Sequence, residues 1–157
     1  MPIEPENKRK VIECIHKLWS SDEILFTEHC HERTITHKLA QYLQESFNGW
    51  DIDVEYNRKV STDGMPFVVK MFNGTPIFPD IIIHHRGTRE NLIVIEMKMK
   101  GSMKKDRIKL EGLTLHSGGY GYECGLLIKF NSPGKCKMHW YANGVLVESE
   151  PLSMRIT

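Results

Sequence analysis

The chain has 157 residues, 40% of them hydrophobic and 26% charged, with a formal net charge of +1. A chain of this length fits one domain, which buries roughly two-thirds of its unfolded surface, and the composition excludes wholesale disorder. A net charge so close to zero excludes a general polyanion binder, so any nucleic-acid contact has to come from local clustering of basic residues.

In chain order, Val11, Ile12, Ile15, Leu18 and Trp19 fall at helical spacing and predict a first amphipathic helix over about 7–19, with Ser20-Ser21-Asp22 as a turn after it. A second helix is expected over about 28–47, from the spacing of Ile35, Leu39, Ala40, Tyr42, Leu43 and Phe47. Asn48-Gly49 closes it. The period then changes to two: Ile52, Val54 and Tyr56 alternate with Asp51, Asp53 and Glu55, as in a half-buried strand. Residues 61–79 are richer in Gly and Pro and read as an irregular connection, with a short strand at Phe67-Val68-Val69. Two apolar runs follow, Ile81–Ile83 and Leu92–Ile95, joined by a segment with Gly87 at its turn, and together they predict a hairpin. Helical character returns over 104–115, and Ser117-Gly118-Gly119 breaks it. Cys124–Phe130 reads as a buried strand, Asn131–Gly134 as a turn, and 138–147 as a last hairpin around Asn143-Gly144. This order predicts one α/β domain over 1–157 with a mixed sheet, an N-terminal helix over 1–20 and a core over about 27–147.

The longest apolar runs are far too short to cross a bilayer, and Met1–Glu6 lacks the regions of a signal peptide. A cytoplasmic protein with no membrane partner is expected. Cys14, Cys30, Cys124 and Cys136 show no CxxC spacing and read as reduced thiols.

Three groups carry chemistry because of where they fall on the predicted strands. Glu96 and Lys98 end one apolar run and, two residues apart, share a face of it. Asp80, after Pro79, begins the run before. If the hairpin forms, antiparallel pairing brings both carboxylates and the ammonium to one end of the sheet. Two carboxylates in that position suit a hard cation, Mg²⁺ or Mn²⁺ in its place, with coordination positions left for water and phosphate. The lysine can orient the water or offset charge on the phosphate.

Pro79-Asp80 followed by Glu96-Met97-Lys98 at the end of an apolar strand resembles the signature of the PD-(D/E)xK nuclease superfamily, with its restriction-endonuclease-like fold. The likeness spans the second helix to the strand at Cys124–Phe130. It implies a mixed four- or five-stranded sheet flanked by helices. It also implies metal ligation by Asp80, Glu96 and the Met97 backbone carbonyl, and a catalytic Lys98. The superfamily often adds a glutamate from the helix before the sheet; Glu32 matches best, with Glu28 as its competitor. A polar side chain from the next helix often completes such sites, and Lys105, Asp106 and Lys109 are the candidates.

The expected activity is metal-dependent hydrolysis of DNA phosphodiester bonds, endonucleolytic rather than exonucleolytic. The alternatives are an RNA-cleaving enzyme and a non-catalytic nucleic-acid- or protein-binding subunit of a larger assembly. A homodimer suits an enzyme that cuts both strands. Lys100, Lys104, Lys105, Arg107 and Lys109 form a basic run beside the site and, with Arg58, are the expected nucleic-acid contacts. His84-His85 reads as part of a solvated turn, His37 as a surface residue, and Tyr120 and Tyr122 as packing residues.

Overall fold

A computed structural model describes residues 3–59, 68, 69 and 71–155. Helix α1 (Pro5–Ser21) starts under a Glu4 cap whose carboxylate accepts from the Asn7 N–H, and it buries Val11, Cys14, Ile15, Leu18 and Trp19. The short α2 (Ile24–Thr27) follows. The predicted second helix begins later than expected, as α3 (Glu32–Ser46). His29 stands at φ +53, which turns the chain between α2 and α3, and the His31 ring accepts from the Arg33 N–H as the cap of α3. A left-handed residue cannot continue a right-handed helix, so no single helix spans 28–47.

Strand β1 (Asp51–Val54) is shorter than the alternating pattern suggests. It ends at Glu55, whose φ is +53 and whose N–H reaches the carbonyls of Pro79 and Asp80 at 3.0 and 3.2 Å. Two small ribbons follow, β2 (Arg58–Lys59) with β3 (Val68–Val69), and β4 (Met71–Phe72) with β5 (Thr75–Pro76). The expected strand at Phe67–Val69 is described only at Val68 and Val69; Phe67 lies outside the described residues.

The remaining strands are β6 (Ile81–His84), β7 (Asn91–Lys98), β8 (Cys124–Ser132), β9 (Lys135–Ala142) and β10 (Val145–Ser153), with α4 (Lys104–Thr114) and a 3-10 turn at His116–Gly118 between β7 and β8. The main sheet runs β1-β6-β7-β8-β9-β10. Only β7 and β8 are parallel, linked through α4; every other neighbour is antiparallel. The fold is thus α/β with a mixed sheet of six strands, not four or five. The extra strand is β10, which extends to Ser153 and pairs with β9 throughout.

Both sheet faces are covered. Ile81, Ile83, Ile93, Ile95, Met97, Leu126, Ile128 and Phe130 pack with α1 and α3 on one face. On the other, Ile82, Val94 and Leu127 pack under Leu110 and Leu113 of α4 and under Tyr120, Tyr122 and Tyr141. Alternate residues of β6, β7 and β8 therefore feed two separate cores, which is why these strands are continuously apolar in sequence. Fully burying each such side chain contributes about 1.5–3 kcal/mol. Among the described residues no helix is long and apolar enough to cross a membrane. The four cysteines are free, three of them buried.

Candidate active site

The predicted hairpin exists. Ile81 pairs with Ile95, Ile82 with Val94 and Ile83 with Ile93. Extending that register by one residue sets Asp80 opposite Glu96, at the end of β6 that the Glu55 N–H anchors. Parity along the strands turns Glu96 and Lys98 to the α4 face, since Val94 is there and Ile95 and Met97 are on the other.

The Asp80 Oδ2 accepts the Met97 N–H at 2.8 Å, continuing the β6–β7 ladder with a side chain where β6 has ended. Glu96 and Asp80 face each other across the two strands and interact electrostatically. Burial holds Glu96 well above the usual carboxylate range, with the Asp80 charge adding to the effect and Lys109 opposing it. Its side chain is 2% exposed. Burial raises Asp80 as well, although the Met97 N–H opposes the rise.

Helix α4 closes the site with the charged positions of its inner face, three residues apart and in phase with Leu110 and Leu113. The Lys109 Nζ lies 2.8 Å from the Glu96 Oε1. That oxygen is buried and has no hydrogen-bond partner, so the contact is ionic. Burial disfavours the Lys109 charge, but Glu96, Asp80 and Asp106 outweigh it and raise its pKa. The Lys98 Nζ stands 3.3 Å from the Asp106 Oδ2. Of the three helix candidates, Asp106 and Lys109 face the site, and Lys105 is exposed.

Glu32 is not part of this group. Its carboxylate accepts the Met99 N–H at 3.1 Å, which ties the first turn of α3 to the end of β7. One turn on, Thr36 donates to the Met97 Sδ at 3.4 Å on the face away from α4. Glu32 thus anchors the end of β7 from the face of the sheet opposite α4. Glu28 is exposed at the end of α2.

Among the described residues no group of three or more His, Cys, Asp or Glu side chains is arranged to hold a metal ion. The oxygen donors that the strand end offers to a hard cation are Asp80, Glu96 and the Met97 carbonyl. In an extended strand a residue's N–H and C=O share one edge, so that carbonyl is turned to the Asp80 side with its N–H. Mg²⁺ is commonly held by one or two carboxylates with water and phosphate completing its shell, so this donor set suffices.

Of the expected nucleic-acid contacts, Lys100, Lys104, Lys105 and Arg107 are exposed. Lys109 is not on that surface, because it is drawn inward to Glu96. Arg58 lies on β2, which pairs with β3 and not with the main sheet.

A second polar cluster, at the opposite end of β6, was not legible as a unit. His84 is buried, not part of a solvated turn; its Nε2 lies 2.7 Å from the Asp53 Oδ2. Arg86 donates to both oxygens of Asp53, at 2.6 and 2.8 Å, and Trp50 stacks on His85 with ring centroids 3.9 Å apart. Arg86 and His84 hold Asp53 below the usual carboxylate range even though burial pushes it up. The period-two placement of Asp51 and Asp53 on β1 was the available signal. Tyr120 and Tyr122 are buried packing residues, and His37 is exposed.

Compared with known proteins, the chain matches no family model and no curated protein.

Proposed function

We propose that the chain is a metal-dependent nuclease of the PD-(D/E)xK type that hydrolyses DNA phosphodiester bonds. The observation that carries this reading is the pairing of Asp80 with Glu96 across β6 and β7, with two lysines at the same strand end. Asp80, Glu96 and the Met97 carbonyl would hold the cation. A bound divalent cation polarises a phosphate and makes its own water more acidic.

The chain's residues supply the rest. Glu96 would serve as a ligand in its carboxylate form. Lys98, on a strand fixed between β6 and β8, presents its ammonium on the same face as Glu96 and can stabilise charge developing on a phosphate oxygen. The bond from Met97 fixes the Asp80 carboxylate before any ligand arrives, which is the preorganisation a phosphoryl transfer requires. The exposed Lys100, Lys104, Lys105 and Arg107 offer a phosphate-tracking surface next to it.

Incubation with plasmid, linear and single-stranded DNA in Mg²⁺ or Mn²⁺ tests the reading. Cleavage is expected, at least about 100-fold slower in Asp80→Asn and Lys98→Met, a loss typical of removing a key electrostatic group. Undiminished cleavage in both variants eliminates this site, and cleavage of RNA alone reassigns the substrate. The rival is a binding subunit with the same fold and no chemistry. The salt-bridged state of both lysines favours it, and it predicts DNA binding without cleavage under every cation.

A further inference from the structure

Two lysines and three acids meet at the end of β7, and their pairing is specific. Lys109 takes Glu96 at 2.8 Å, and Lys98 takes Asp106 at 3.3 Å. The resemblance to the nuclease superfamily assigns work only to Lys98. Yet it is Lys109, from α4, that contacts the candidate metal-binding carboxylate. It does so at an oxygen with no hydrogen bond, where a side chain 21% exposed meets one 2% exposed. The lysine stem thus runs inward from the partly open side of α4 and leaves its ammonium at the buried carboxylate.

An ammonium and a divalent cation on one carboxylate oxygen would sit within a few ångströms of each other and compete for it. Their mutual repulsion at such separations reaches several kcal/mol even with strong screening. We infer that Lys109 is an internal counter-ion that a divalent cation must displace from Glu96, and that the displaced ammonium becomes a second phosphate-binding group beside Lys98. This rests on the metal-site reading above and adds to it a residue and an order of events. Its four-carbon stem and freely rotating ammonium suit Lys109 to such an exchange, whereas the planar fork of an arginine would fix on the carboxylate. A consequence is coupling between ligands. A phosphate that accepts Lys109 frees Glu96 for the cation, and a cation on Glu96 releases Lys109 for the phosphate; each tightens the other by the same factor.

Calorimetric titration of Mn²⁺ into the wild-type chain, Lys109→Met and Lys109→Gln, at mildly alkaline pH, tests this. The titrations are run with and without a short phosphorothioate oligonucleotide as an uncleaved phosphate source. Expected are Mn²⁺ affinities at least about tenfold tighter in both variants, a change set by removal of the competing charge. The oligonucleotide is expected to tighten Mn²⁺ binding in the wild type and to lose most of that effect in the variants. Mn²⁺ affinity unchanged or weaker in the variants overturns the inference and leaves the metal reading standing, provided wild-type binding is lost in Asp80→Asn. No Asp80-dependent Mn²⁺ binding in any of the three overturns both. The two substitutions differ in polarity at the tip, so a folding defect of Lys109→Met leaves Lys109→Gln to decide.

Discussion

Glu96 shows most clearly what a candidate catalytic residue does to its own protein. Its pKa is raised in the folded chain, so its stability contribution is fully present below the ordinary carboxylate range. That contribution is lost as pH rises through the elevated folded value. The cation-free protein is therefore expected to lose melting temperature from mildly acidic towards alkaline pH. Glu96→Gln, which mimics the protonated acid, should flatten that slope and melt at least as high as the wild type at neutral pH. Thermal melts across pH check this; a Glu96→Gln protein with the wild-type slope would show that the loss arises elsewhere. Asp53 behaves in the opposite sense. Its carboxyl is held low by Arg86 and His84, so its contribution is present above the unfolded carboxylate value and is lost as pH falls through the folded one. Because the Arg86 side chain is half exposed, Arg86→Met is expected to cost only about 1 kcal/mol in denaturant unfolding near neutral pH. At this scale the acid–acid–lysine spacing was legible, since period-two parity alone puts Glu96 and Lys98 on one face. The choice among Lys105, Asp106 and Lys109 was not, because it depends on how α4 is rotated against the sheet. The placement of Glu32 on the face opposite α4 was not legible for the same reason: sequence spacing does not say which face a helix covers.

The elements are held in place by a few specific contacts. Helix α4 is fixed at its end by Thr114, whose Oγ1 donates to the Leu110 carbonyl at 2.8 Å and accepts the Gly144 N–H at 3.1 Å. Gly144 stands at φ +81 in the β9–β10 turn, next to Asn143 at φ +44, as a hairpin turn with two left-handed residues requires. A Cβ on Gly144 would also come within 2.9 Å of the Leu115 Cδ1. Gly144→Ala is therefore expected to destabilise by about 1–3 kcal/mol, through backbone strain and displacement of Leu115 together. Thr114→Val should cost about 1–3 kcal/mol by leaving the Gly144 N–H unpaired. Urea unfolding of each variant measures these losses, and a loss below half a kilocalorie in both, a bound set at about 0.5 kcal/mol, would mean that the hairpin does not hold α4. The Asn143-Gly144 hairpin was legible from the dipeptide itself. The start of α3 was not, because the break falls at His29, a residue type that carries no strong turn signal.

At the scale of the whole molecule, one sheet carries two cores and one charged strand end, with α4 passing from the candidate site to the exposed basic surface. The fold class was legible from the alternation of periods, and β6, β7 and β8 from their apolar runs. The sixth strand was legible only at its start, as the second arm of the Asn143-Gly144 hairpin. Val145–Ser153 is mostly exposed and includes Glu148, Glu150 and Pro151, so it shows none of the apolar continuity that marks a central strand. Part of its charge is answered from α1: Lys8 contacts Glu148 and Glu150 at 2.9 and 2.8 Å. If α4 tracks DNA, replacing Lys104 and Lys105 by Ala should weaken binding across all sequences and lower the salt slope by about two, as filter or anisotropy titrations would show. An unchanged slope would place the DNA elsewhere.

The most direct test of the account is anomalous diffraction from crystals grown with Mn²⁺. The account predicts one peak in contact with Asp80, Glu96 and the Met97 carbonyl, with the Lys109 ammonium withdrawn from Glu96. Crystals with Mn²⁺ bound elsewhere, or with no peak there and Lys109 still against Glu96 at saturating cation, would contradict it.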